Sequence, residues 1–317
     1  MTIQDFYECL KTNYYKNGYE VEYFWISGVL LVFVGSFGLF GNLMNLIILF
    51  QSNFRRETYY QLLIVLTIVD IYFIIFFGVQ AIYTTMICWN GYSTLAVYDL
   101  TIRFVNVGRS LSIYTTVVIS MERFLKVRYP FIYYKPRTWH YILFILTFSI
   151  PYNLPGFFEY KFFFTNGTFS DELRPYAQEY DYYFRYWIVA DFLIMQLENI
   201  ISMPIVLGLN LSIIITVWNS KRNVIKETNV TKRRNSVTKH SAELKKTILI
   251  FVSVFLLTRS LYICVHYLYY FNYENVKNWI YLEPIEGLLL MTNSSINIIV
   301  YVSVDSKFRR SSLSLIK

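Results

Sequence analysis

Ser110-Leu-Ser-Ile-Tyr-Thr-Thr-Val-Val-Ile-Ser-Met-Glu122-Arg123-Phe124-Leu-Lys-Val-Arg-Tyr-Pro130 decides how this chain is read. Its first half is apolar and rich in hydroxyls. An acid–base pair follows, then an aromatic, a short basic segment and a proline. Charge at the end of a membrane-length helix is costly in hydrocarbon. Such residues therefore sit at the water interface or carry function. The meaning of Glu122-Arg123 depends on which span it ends and which side of the membrane it faces.

The chain has 317 residues, 55% of them hydrophobic and 20% aromatic, with only 16% charged. A soluble domain averages about 25% charged residues, so the deficit points to a membrane protein. The net charge of +8 could suggest nucleic acid, but the bases are unevenly placed and no nucleic-acid partner is expected. Residues 1–20 hold Asp5, Glu8, Lys11, Lys16 and Glu20 without an apolar core. No cleavable signal peptide is visible there, and the first long span is expected to act as its own insertion signal. Cys9, Cys88 and Cys264 match no zinc or redox spacing. His140, His240 and His266 are scattered. No cofactor and no enzymatic activity are expected.

A helix needs about 20 apolar residues to cross hydrocarbon. Tyr23 to Phe54 carries no charge and is the first expected span. Thr58 to Tyr98 is uncharged except for Asp70 and too long for one span, so the second helix is expected to end near Thr85, with an outer turn at Cys88-Trp-Asn-Gly91. The third runs from about Leu95 to Val127 and the fourth from Thr138 to Phe158. A polar, aromatic loop follows to Arg185, then a fifth span from Tyr186 to Asn219, a basic loop to Lys246, a sixth from Thr247 to Phe271 and a seventh from about Trp279 to Val304. Ser306 to Ile316 sets Phe308, Leu313 and Ile316 against Lys307, Arg309 and Arg310, a pattern that lies in the lipid interface.

The expected fold is an all-α membrane protein, a seven-transmembrane helix bundle with a short amphipathic C-terminal helix. Residues 1–22 would form an extracellular tail, 23–304 the bundle, and 305–317 the amphipathic helix and cytoplasmic tail. The odd-numbered connections and the tail hold two, four, nine and four bases, nineteen of the 29 Lys and Arg. By the positive-inside rule this face is cytoplasmic and the N-terminus lies outside. Glu122-Arg123 then falls at the inner end of the third helix.

In that place the triplet resembles the Asp/Glu-Arg-Tyr motif of class A (rhodopsin-like) G-protein-coupled receptors, and Pro130 falls near the loop proline that follows it there. Gly41-Asn42 resembles that family's helix-one Gly-Asn, and Leu66-Thr-Ile-Val-Asp70 its helix-two Leu-x-x-x-Asp. Pro204 matches the helix-five proline. Asn297-Ile-Ile-Val-Tyr301 resembles Asn-Pro-x-x-Tyr, and Phe308 matches the aromatic of the following helix. The pattern after Glu-Arg-Phe and the texture of the first three helices look like invertebrate FMRFamide-type neuropeptide receptors. Ile298 stands where the helix-seven proline would be, and Thr258-Arg259-Ser260-Leu261 where the family has Cys-Trp-x-Pro. The outer cysteine position falls at Tyr98, and the loop Glu159–Arg185 has no cysteine, so the family's usual disulfide cannot form.

The resemblance implies a multi-pass plasma-membrane receptor for an extracellular ligand, with a heterotrimeric G protein inside and lipid around it. Glu122, Arg123, Phe124 and Tyr301 would serve coupling. Asp70, a lone carboxylate in an apolar helix, is functional by default. Ser112, Asn293, Ser294 and Asn297 match family positions that surround it with sodium ligands, against the reading of a neutral, hydrogen-bonded acid. Arg109 and Arg259 match the floor of the ligand pocket, with internal pairing to Glu198 or Glu286 the competing reading. Tyr262, His266 and Glu283 complete the candidate ligand set. Asp99 and Arg103, four apart, would pair along their helix.

Asn166-Gly-Thr168 is an outer-side glycosylation sequon. Cys9 and Cys88 both face the oxidising side, where a bridge between them could form, while Cys264 is expected to be a packed thiol. The outer segments and helix mouths hold twelve acids against six bases, a balance of −6 on a chain of +8. A negative vestibule steers cations, which suits a basic amidated neuropeptide. The alternatives are a divergent chemosensory seven-helix receptor for a small molecule, or a channel or transporter. Transporters usually show internal repeats, and none is visible here.

Overall fold

The computed structural model describes residues 24–51, 54–85, 91–129, 138–158, 197–227, 257–265, 279–304 and 306–316. All regular structure among them is helical. A π-helical lead-in, Phe24–Leu30, runs into α1, Leu31–Leu49. Then come α2, Thr58–Thr85, α3, Gly91–Arg128, and α4, Thr138–Phe158. A π-helical turn, Leu197–Ile201, opens α5, Ser202–Glu227. Residues 257–265 are the described part of α6. Next are α7, Trp279–Ser295, α8, Asn297–Val304, and α9, Ser306–Ile316.

The membrane explains why such sequences are helical. α2 is full of Ile, Val, Tyr and Phe, which are only middling helix formers in water. In lipid no water can satisfy backbone N–H and C=O groups, so each segment must pair its own. Trp25–Leu49, Thr58–Tyr83 and Pro284–Ser303 are long and apolar enough to cross a membrane, and Thr138–Pro151 and Ser202–Thr216 are shorter apolar helices. α3 spans 38 residues, about 57 Å at 1.5 Å per residue. That exceeds the hydrocarbon thickness of about 30 Å, so both of its ends reach polar surroundings.

The bundle is arranged around α3, which packs along α2, α4 and α5, while α1 lies between α2 and α7. The α1–α7 seam is close because α1 presents small residues there. A Cβ added to Gly38 would stand 2.9 Å from the Ser295 Cα, and one on Gly41 would stand 2.8 Å from Ile298 Cγ2. Small residues let backbones approach where dispersion, not water exclusion, holds helices together. One apolar cluster, including Phe54, Tyr60, Leu62, Tyr301 and Phe308, fills the half expected to be inner, and another, including Phe73, Val105, Tyr262 and Met291, fills the half expected to be outer. Large apolar side chains on the outer faces, such as Phe33 and Phe40 of α1, are exposed and suit contact with lipid.

The architecture corrects several expected boundaries. α3 begins at Gly91, before Leu95, and ends at Arg128. α5 runs to Glu227 and not Asn219, so Lys221, Arg222 and Lys226 sit on a helix extending beyond the apolar stretch. The expected seventh helix is divided at Ile296, although it has no proline there. The Ser294 carbonyl accepts from Asn42 Nδ2 at 2.9 Å, and Ile296 O accepts from both Ile299 N and Val300 N, at 3.0 and 3.2 Å. Cross-helix and shortened bonds at this point accompany the interruption, so the lack of proline does not make the helix continuous. Cys264 is exposed on α6 rather than packed inside. Residues 1–22, with Cys9, lie outside the described residues, as do Cys88, Asn166 and His266.

Candidate functional site

Among the described residues, three groups of buried polar side chains contain the candidate site residues. The outer one is made by α3, the π-turn before α5, α6 and α7. Arg109, Glu198, Arg259 and Tyr262 are all buried, Arg259 and Glu198 each at 3% exposure. Arg109 Nη1 donates to the Tyr262 hydroxyl at 3.1 Å. The Tyr262 hydroxyl also hydrogen-bonds Glu286. The Glu198 carboxylate lies in the field of Arg109 and Arg259 and near Ser110, and neither of its oxygens makes a hydrogen bond among the described residues. Asn153 on α4 donates to Ser110 Oγ at 2.9 Å and to Ser149 O at 2.8 Å. Arg109, Tyr262 and Glu286 are thus linked in one layer, with the Glu198 carboxylate and the Arg259 guanidinium buried beside them.

Local sequence explains how Glu198 reaches it. Pro204 has no N–H to return to the carbonyl four residues earlier, which weakens regular α-helix there. The chain is wound in the wider π form over Leu197–Ile201 and becomes α-helical at Ser202. Single π-turns in helices often mark functional positions. This one turns Glu198 inward among cations, where a buried carboxylate needs them.

The second group surrounds Asp70, which is completely buried on α2. Asn297 Nδ2 donates to Oδ2 at 2.6 Å and Ser112 Oγ to Oδ1 at 3.3 Å. The Ser294 hydroxyl also bonds this carboxylate. The Ser294 carbonyl takes Asn42 Nδ2, so α1, α2, α3, α7 and α8 meet here. Asn293 turns elsewhere and accepts from Thr258 Oγ1 of α6 at 2.9 Å. Of the four residues expected around the carboxylate, Ser112, Ser294 and Asn297 are brought to it, while Asn293 links α7 to α6. The oxygens of Asp70, Ser112 and Ser294 form a donor set that fits a small hard cation.

The third group is the inner end of α3. Glu122 is buried, at 2% exposure, and Arg123 is half-buried with its Cζ 3.9 Å from the centre of the Tyr59 ring. Phe124 meets Tyr129 edge-on at 6.2 Å, and Tyr301 meets Phe308 at 5.7 Å. Glu57, in the turn before α2, bridges Lys126 of α3 at 3.6 Å and Lys307 of α9 at 3.4 Å. Lys307 Nζ lies 4.8 Å from the ring centres of both Phe54 and Tyr60. Sequence reading passed over Glu57, Tyr59 and Tyr60. The run Glu57-Thr-Tyr-Tyr60 opens a span, but nothing in the sequence shows what would stack on its rings.

For the remaining candidates, Glu286 is half-buried in the outer layer, and Glu283 lies one turn earlier on α7, its side chain outside the described part. Asp99 also lies on α3 with its side chain outside the described part, so its expected pairing with Arg103 lies there too. Among the described residues no group of three or more His, Cys, Asp and Glu could hold a metal ion.

Comparison with known proteins agrees with this architecture. Residues 29–317 match the family model described as serpentine type 7TM GPCR chemoreceptor Srw. An FMRFamide receptor of Drosophila melanogaster is 29% identical over 151 residues, which cover 43% of this chain and 27% of that receptor. The match therefore spans about a quarter of the relative's length. With nearly the whole helical chain inside the family model, the protein belongs to the Srw family of serpentine, seven-transmembrane G-protein-coupled chemoreceptors.

Proposed function

We propose that this receptor sits in the plasma membrane with its N-terminus outside and binds an extracellular ligand at or above the Arg109–Glu198–Arg259–Tyr262–Glu286 layer. Glu122, Arg123, Phe124 and Tyr301 then present the inner end to a heterotrimeric G protein. The family match over residues 29–317 carries this reading. For the ligand, a basic amidated peptide is favoured by the relative named as an FMRFamide receptor and by the acidic excess of the outer segments. A divergent chemosensory receptor for a small molecule is the second reading, favoured by the chemoreceptor description of the family. Expression in cells with a G-protein biosensor, screened against amidated peptides and against small volatile and water-soluble compounds, separates the two by the size of the agonist. A chain that responds to neither, while present at the surface, would count against the receptor reading.

In this reading Glu283 or Glu286 of α7 meets a cationic group of the ligand. Charge reversal at a contacted carboxylate loses attraction and adds repulsion. Glu283→Lys or Glu286→Lys should therefore raise the agonist concentration for half response by about tenfold or more, and by less at high salt. Dose–response curves at two salt concentrations test this. If neither substitution shifts potency, or if the agonist is an anion, the basic ligand is wrong.

Sodium at Asp70 is a further part of the proposal. Asp70, Ser112 and Ser294 would hold the ion, which supplies a positive charge that favours one arrangement of α2, α3 and α7 over another. Replacing choline chloride with sodium chloride should lower agonist affinity about threefold in the unaltered receptor and have no effect in Asp70→Asn. Agonist affinity independent of sodium in both would leave Asp70 as a hydrogen-bonded acid.

A further inference from the structure

We propose that Tyr59 is a positioning residue for Arg123, holding its guanidinium against the start of α2 until signalling releases it. This rests on the coupling role given to Arg123 above. Arg123 lies with its Cζ 3.9 Å from the Tyr59 ring centre, close for a contact that operates within about 6 Å. A planar guanidinium stacks on a ring face as an ammonium cannot, so the contact is directional. The ring is itself held. Tyr59 lies 5.1 Å from Tyr60, and the almost fully buried Tyr60 packs edge-on against Phe54 at 4.8 Å and 80°.

The same platform receives a second cation from another helix. Lys307 of α9 lies over Phe54 and Tyr60 while Glu57 reaches it and Lys126. The start of α2 thus grips the inner end of α3 and the first turn of α9 together. Glu57, Lys126 and Lys307 have side chains 46%, 53% and 40% exposed, and ion pairs so wetted contribute little. The stacked ring adds a directional restraint on Arg123 that these pairs do not supply. Moving Arg123 toward a cytoplasmic partner requires this stack to be left, so removing the ring shifts the population toward the released form without any ligand.

The test measures nucleotide exchange on purified heterotrimeric G proteins by the full-length receptor in lipid nanodiscs, without ligand. Tyr59→Leu should raise basal exchange about threefold, the change in population expected from losing one cation–π contact. Tyr59→Phe keeps the ring face and should stay at the unaltered level. Tyr59→Leu combined with Arg123→Ala should fall to the background of Arg123→Ala alone. Thermal melting of the same proteins in detergent gives a double-mutant cycle that needs no G protein, and the two substitutions should be non-additive. Where the unaltered receptor drives exchange, equal exchange by Tyr59→Leu and Tyr59→Phe overturns the proposal, and additive melting losses overturn it in every case. If neither the unaltered receptor nor any variant drives exchange, the melting cycle decides whether Tyr59 positions Arg123, and the agonist-driven response of Arg123→Ala decides the coupling reading.

Discussion

Arg123→Ala should abolish G-protein signalling while the receptor remains at the cell surface in normal amount. The two halves of this expectation have separate causes. Arg123 is half-buried at the inner end of α3, and its described contact is the stack on Tyr59. Such a contact is worth about 1 kcal/mol, a small part of the 5–15 kcal/mol, roughly, that holds a folded protein together. The bundle should therefore survive the loss. A cation that must meet the G protein is another matter, since its removal takes away an interaction made only in the signalling complex. Arg123→Lys keeps the charge without the planar fork and should signal weakly. Agonist-driven biosensor response, normalised to surface labelling, reads both. Full signalling by Arg123→Ala would refute the coupling role.

The fold was legible where chemistry leaves a chain few choices. Long stretches with little or no charge located α1, α2 and α4, and the boundaries Thr85, Thr138, Phe158, Ser306 and Ile316 agree with the helices observed. α5 was cut short at Asn219 because hydropathy marks the hydrocarbon limit, whereas a helix can continue into water with Lys and Arg along it. The Asp70 group was legible because a lone carboxylate in an apolar helix must find donors, and Ser112, Ser294 and Asn297 supply them. Asn293 was misplaced by one face. It neighbours Ser294 in sequence, but adjacent helical residues point about 100° apart, and its partner is Thr258. The glycine seam at Gly38 and Gly41 and the Tyr59–Tyr60 platform depend on which helices meet, and a single sequence does not state that.

Glu198→Leu should be the most damaging single change in the outer layer. Glu198 is 3% exposed and lies in the field of Arg109 and Arg259. Both arginines are also buried. Removing the carboxylate leaves two guanidiniums close together in low dielectric with only Glu286 among the layer's described acids. Breaking a buried charge pair from one side costs about 3–5 kcal/mol, because the remaining charge stays desolvated without compensation. Against a total of roughly 5–15 kcal/mol, that is enough to reduce surface expression sharply and to lower the melting temperature in detergent. Arg109→Leu should also destabilise, since Tyr262 loses its donor at 3.1 Å and Glu198 loses a cation. The double substitution Arg109→Leu with Glu198→Leu removes one charge of each sign and leaves Arg259 in the field of Asp70. Replacing both members by apolar residues of similar size is often neutral, so the double variant should recover most of the expression and melting temperature lost by either single. Ligand response separates the two uses of the layer. If the arginine only balances internal charge, the restored double variant should respond to agonist at nearly unaltered potency. If Arg109 touches ligand, potency should fall by about tenfold or more although the fold is restored. A double variant no more stable than Glu198→Leu alone would show that these residues are not charge partners, and the layer would have to be divided differently.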